Sequence, residues 1–77
     1  MKELRAIRKA RGLSVTVCAR AVGDRLDKVI SDAKWERWER QETDPNSEER
    51  NAIADYFGVT LDQLAGRAPL PTAHVAS

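Results

Sequence analysis

Two tryptophans three residues apart set the tightest limit on what this chain can fold into. Trp35 and Trp38 are the only indoles in 77 residues that hold one Phe and one Tyr, and a chain this short builds too small a core to leave its largest apolar groups in water. Their i,i+3 spacing puts both rings on one helix face. Ser31 ahead of them is an N-cap residue and Asp32 complements a helix N-terminus, so the pattern predicts a helix from Asp32 to about Arg40. Its indoles point inward, and Asp32, Ala33, Lys34 and Arg37 point outward.

Charge is divided unevenly along the chain. Residues 1–40 carry 11 Lys and Arg against 6 Asp and Glu, and residues 41–77 carry 2 against 6. A basic half of this kind faces a polyanion, unless the charges are only the solvated faces of small helices. The outer edge of the tryptophan helix also matches in size a DNA major groove, about 12 Å wide. The single Cys18 excludes an internal disulfide and a cysteine zinc cluster, and fits a reducing compartment. The only histidine, His74, lies near the C-terminus with no partner thiol or ligand cluster.

No apolar run approaches the roughly 20 residues of a membrane span, and Met1 to Arg5 lacks the apolar stretch of a signal peptide. A soluble, cytoplasmic protein is expected. No carboxylate pair, metal-ligand spacing, phosphate loop or activated nucleophile stands out, so the reading carries no enzyme activity, no metal, no cofactor and no small-molecule effector.

Taken in order, the chain reads as five helices. Residues 2–10 place Leu4 and Ile7 inward and Lys2, Arg5, Arg8 and Lys9 outward, with Gly12 as terminator. Ser14 caps a second helix, Val15 to Val22, with Cys18, Ala19 and Val22 inward and Gly23 ending it. Residues 24–30 read as a connection burying one or two apolar residues, with a helical turn or a continuation into the tryptophan helix as alternatives. Gln41 to Asn46 is a loop, and Asn46 with Glu49 forms a capping box for a fourth helix ending at Phe57 and Gly58. Ile53, Ala54 and Phe57 form its apolar face, with Tyr56 at the edge. Thr60 caps Leu61 to Ala65 in a second box with Gln63, stopped by Gly66. Residues 1–66 then form one domain, and 67–77, with two prolines and no helical period, a flexible tail.

Several of these pieces together resemble the lambda-repressor-like, Cro/XRE-type helix-turn-helix domains. The matching residues are Leu4-Arg5-Ala6-Ile7-Arg8, Arg11-Gly12-Leu13-Ser14, Ala19, Gly23, Trp38-Glu39-Arg40, Pro45, Ile53-Ala54-Asp55 and Gly58-Val59-Thr60-Leu61-Asp62-Gln63-Leu64. The resemblance covers about residues 2–65. It implies an all-α, compact five-helix fold in which Ser31 caps the recognition helix. Three departures stand out. Seven residues separate Gly23 from Ser31, which implies an enlarged turn; Gln41 replaces a frequent glycine and is expected to lengthen the third helix; and Ser47, Arg50 and Asn51 are polar where the family is usually apolar.

The resemblance implies a transcriptional regulator of double-stranded DNA, a repressor acting as a homodimer on a pseudo-palindromic operator. Base contacts fall to Asp32, Ala33, Lys34 and Arg37. Lys34 and Arg37 match guanine O6/N7, Asp32 matches cytosine N4, and Ala33 matches a thymine methyl. Phosphate contacts fall to Arg11, Ser14, Arg20, Arg25, Lys28, Ser31 and Arg40. Tyr56, Val59, Leu61 and Leu64 offer apolar area for a second copy. The alternative is a protein-interaction module that keeps the fold without reading DNA, motivated by the near-neutral overall charge and by Asp32 at the reading end.

Overall fold

The computed structural model describes residues 1–70. Five helices follow one another: α1 Leu4–Ala10, α2 Val15–Leu26, α3 Asp32–Glu39, α4 Ser47–Phe57 and α5 Leu61–Ala65. The described residues hold no strand, so the class is all-α, as expected. Four helix starts are set by side chains. Ser14, Ser31, Asn46 and Thr60 each accept a backbone N–H from the first turn, and Asn46/Glu49 and Thr60/Gln63 close full capping boxes. Each such cap stabilises by about 1 kcal/mol, which matters in a domain with so small a core.

Trp35 and Trp38 lie at the centre, 0 % and 1 % exposed. Their rings pack 5.6 Å apart, and Trp35 meets Phe57 edge-on at 6.4 Å. Leu4 and Ile7 of α1, Cys18, Ala19 and Val22 of α2, Ile53 of α4 and Leu64 of α5 close around them. The polar atom of Trp35 is also satisfied, since Nε1–H donates to Glu39 at 2.7 Å. Glu39 accepts two further bonds from the Arg8 guanidinium, at 2.6 and 3.1 Å, and Arg8 donates to the Leu13 carbonyl at 3.0 Å. Arg8 was expected to face outward. Its side chain is only 12 % exposed because it joins α1, the loop after it and α3 in one network. Burial works against ionised Glu39, yet the Arg8 and Trp35 hydrogen bonds outweigh it and hold the carboxyl below its usual range.

The expected end of α2 at Gly23 is corrected. The helix runs on to Leu26 and is closed by Asp27, whose φ of 54° is left-handed. Gly23 serves close packing instead: a Cβ there would lie 2.5 Å from the Lys28 carbonyl oxygen. The chain folds back over α2 at that point, and the Lys28 N–H donates to the Gly23 carbonyl at 3.0 Å. The enlarged turn therefore disappears. Only residues 27–31 join α2 to α3, with Ile30 buried, Val29 outside and Ser31 as the cap of α3.

Gln41 likewise shortens α3 rather than lengthening it. With φ at 61° it takes the left-handed position a glycine would fill, and Gln41 and Glu42 N–H groups donate to the Trp38 and Arg37 carbonyls. Ser47, Arg50 and Asn51 are all exposed, while Ala52, Ile53 and Phe57 supply the inward face of α4. Beyond α5, the Arg67 N–H donates to Asp62, Gln63 donates to the Pro69 carbonyl at 3.0 Å, and Leu70 packs against the core. Residues 67–70 are thus attached to the body. The rest of the expected tail, with His74, lies outside the described residues.

The Gly23 contact makes a test that opposes ordinary helix propensity. In an open helix interior Gly→Ala stabilises by up to about 1 kcal/mol. Here Gly23→Ala is expected to destabilise by about 1–3 kcal/mol, because the Lys28 backbone must shift. A lower urea midpoint for the variant checks this; an unchanged or raised midpoint contradicts it.

Candidate nucleic-acid interface

The pair α2 and α3 is built so that their first turns meet. Thr16, in the first turn of α2, donates from Oγ1 to Asp32 Oδ2 at 2.6 Å, and Asp32 is the first residue of α3. The same bond engages one oxygen of the exposed Asp32 carboxylate, Oδ2. Ser14 and Ser31 cap the two helices nearby, accepting from the Val17 and Lys34 N–H groups at 3.1 Å each. A shallow groove between the helices is lined by Thr16, Arg20, Lys28 and Asp32.

At 3.6 residues per turn, the side of α3 opposite the two indoles carries Ala33, Glu36, Arg37 and Arg40. All four are exposed. Among the described residues Glu36 and Arg37 have no salt bridge, whereas Arg40 pairs with Glu42 at 2.8 Å in water-exposed surroundings. This edge is the solvent-facing side of α3.

Lys34, expected at a base, is off that edge and its half-exposed ammonium is held by the protein. Its ammonium donates to Glu49 Oε2 at 2.9 Å and lies 5.6 Å over the Trp38 ring, on the flank of α3 that faces α4. Lys28 donates to the same oxygen at 2.6 Å. The other Glu49 oxygen accepts the Asn46 N–H at 2.8 Å. Glu49 is the one buried charged residue of the described chain, 3 % exposed. Burial disfavours its ionised form, but the Lys28, Asn46 and Lys34 hydrogen bonds outweigh that cost and bring its pKa down to about 2.

Most of the other expected phosphate-binding cations also hold protein partners. Arg11 donates to the Phe57 carbonyl at 2.6 Å and lies over its ring, so it closes the C-terminus of α4. Arg25 lies 5.8 Å over Tyr56. Arg20 is exposed and has no salt bridge among the described residues. Of the apolar residues expected to meet a second copy, Leu64 is fully buried in the core and is removed from that surface. Tyr56 and Val59 are half-buried, and Leu61 is 41 % exposed.

Thr16 and Glu36 belong to this face and were not singled out in the sequence. Thr16 follows the Ser14 cap by two residues and Glu36 follows Ala33 by three, but their place on one face depends on α2 and α3 lying side by side. Cys18 is fully buried and burial pushes its thiol up to about 11, which makes it a packing group at neutral pH. Among the described residues no cluster of His, Cys, Asp or Glu is arranged to hold a metal, and no helix is long and apolar enough to cross a membrane.

A family model for the helix-turn-helix domain matches residues 2–66. The chain belongs to the helix-turn-helix domain family. The match spans all five helices and is consistent with the Cro/XRE-type resemblance read from the motifs. Helix-turn-helix domains are DNA-binding regulatory modules in general and typically not enzymes. No curated protein and no solved structure matches this helix-turn-helix chain.

The Glu49 site gives a pH test. A carboxyl whose pKa is about 2 when folded and 4.5 when unfolded contributes stability that is fully present above pH 4.5 and lost as pH falls toward 2. The contribution at neutral pH is on the order of 3 kcal/mol. Urea midpoints measured from pH 7 down to pH 2 should fall for the native chain and fall less steeply for Glu49→Gln. Parallel curves for the two chains contradict the assignment.

Proposed function

We propose that this helix-turn-helix domain is a sequence-specific transcriptional regulator, a repressor that acts in the cytoplasm as a homodimer on a pseudo-palindromic operator. The observation that carries the reading is the exposed α3 edge opposite two fully buried indoles. A short helix anchored that firmly on one side can place its other side in a major groove without bending or shifting.

Within this reading Arg37 donates to guanine O6/N7, Ala33 meets a thymine methyl, and Glu36 accepts from a cytosine N4. Asp32 keeps Oδ1 for a base while Thr16 holds Oδ2. The N-termini at Ser14 and Ser31, with Arg20 between the helices, take phosphate oxygens, since helix N–H groups and cations both favour anions. Arg11, Arg25 and Arg40, engaged in protein contacts, contribute through the field they add rather than as free arms. A single recognition helix reads only a few base pairs, so a second copy is needed for operator specificity. Leu61 and Val59, beside Tyr56, are the apolar groups assigned to that contact.

Selection from a random duplex library, followed by titration of the preferred and a scrambled duplex, tests this reading. The native chain should prefer the selected duplex by a thousandfold or more, within the usual range of about 10³–10⁷. Arg37→Ala should remove about 1–3 kcal/mol of discrimination at one guanine position. Equal binding to every duplex, or none at low salt, contradicts the reading and favours a protein-interaction module with the same fold.

A further inference from the structure

We propose that Lys28 and Lys34 form one phosphate-binding pair preset by the buried Glu49 carboxylate, so that Lys34 serves the DNA backbone and Glu49 is a positioning residue for DNA binding. This inference rests on the DNA-binding reading above and refines the same surface.

Three observations carry it. Both ammonium groups donate to a single oxygen, Glu49 Oε2, at 2.6 and 2.9 Å, which brings two cations from different parts of the motif to one point. Lys28 comes from the turn after α2 and Lys34 from the first turn of α3. The carboxylate cannot swing away to follow a ligand, because its other oxygen is fixed by the Asn46 N–H and the whole residue is buried. Two positive charges against one negative leave a surplus of one, and it faces water, since the lysine side chains are 37 % and 42 % exposed.

An ammonium has three donors and no acceptor. One from each lysine goes to Glu49, which leaves donors on both half-exposed ammonium groups for another oxygen ligand. A monoanion with several oxygens and no required edge geometry suits that arrangement, and a backbone phosphate is one. A base edge does not suit it, because guanine asks for an extended arm reaching from the α3 edge into the groove. Lys34 is instead folded over the Trp38 ring, which also favours its cation where it lies. With both arms ordered before DNA arrives, less side-chain freedom is lost on binding.

The test uses the full chain, the selected duplex and its scrambled control at several salt concentrations. Lys28→Gln and Lys34→Gln should each weaken both duplexes by the same factor and lower the slope of log affinity against log salt by about one, leaving base preference unchanged. Lys34→Arg should restore the slope. Glu49→Gln should weaken binding to the selected duplex although it makes the chain more positive; if that variant does not fold by circular dichroism, the two lysine variants decide. A changed base preference with an unchanged slope in Lys34→Gln makes Lys34 a base reader and overturns the proposal. Tighter binding by folded Glu49→Gln overturns the positioning role. Absence of any DNA binding by the native chain overturns the DNA-binding reading itself, a result distinct from both.

Discussion

The geometry of the motif depends on one carboxylate taken out of water. Glu49 sits where the turn after α2, the first turn of α3 and the cap of α4 converge, and it bonds to each of them through Lys28, Lys34 and the Asn46 backbone. A buried ion pair does not stabilise a protein more than a well-packed apolar group would, but removing one partner leaves a charge that nothing else satisfies. Its loss is therefore felt by all three segments at once. In this chain it ties the turn after α2, the first turn of α3 and the start of α4 to one point. Glu39 plays the matching part on the other side, joining α3 to α1 through Arg8.

These two anchors explain the uneven charge of the chain. A basic first half and an acidic second half look at first like a polyanion-binding surface joined to something else. In the fold much of that contrast is used internally: Lys28 and Lys34 meet Glu49, Arg40 meets Glu42, and Arg11 closes the carbonyl end of α4. What stays on the α3 edge is a mixed set, Ala33, Glu36 and Arg37, with one charge of each sign.

Wherever one residue's local chemistry decided the outcome, the sequence was enough. Four N-caps, two capping boxes, the inward indoles and the apolar faces of α2 and α4 all follow from short-range patterns. The misreadings share a physical origin, which is that a side chain with two possible uses takes the one its distant neighbours make available. Gly23 reads as a terminator, yet it is kept small by the Lys28 carbonyl that folds back on it. Gln41 reads as helix-extending and instead adopts the left-handed turn. Arg8 and Lys34 read as outward cations, but Glu39 and Glu49, 31 and 15 residues away, draw them in. Leu64 is indistinguishable from a surface contact until α5 is docked. The exposed α3 edge was partly legible, since Ala33 and Arg37 follow from the position of the indoles, whereas Glu36 and Thr16 acquire meaning only once α2 and α3 are set side by side.

The central claim is that α3 presents one edge to DNA while its other side stays locked in the core. Backbone and indole resonances of the nitrogen-15-labelled chain, followed during titration with the selected duplex, test it most directly. The account predicts shifts concentrated at Ser14 to Val17, Lys28, Ala33, Lys34, Glu36 and Arg37, with the Trp35 indole N–H, bonded to Glu39, hardly moved. Shifts centred instead on α4 and α5, or a Trp35 indole signal that moves as far as Arg37, would contradict it.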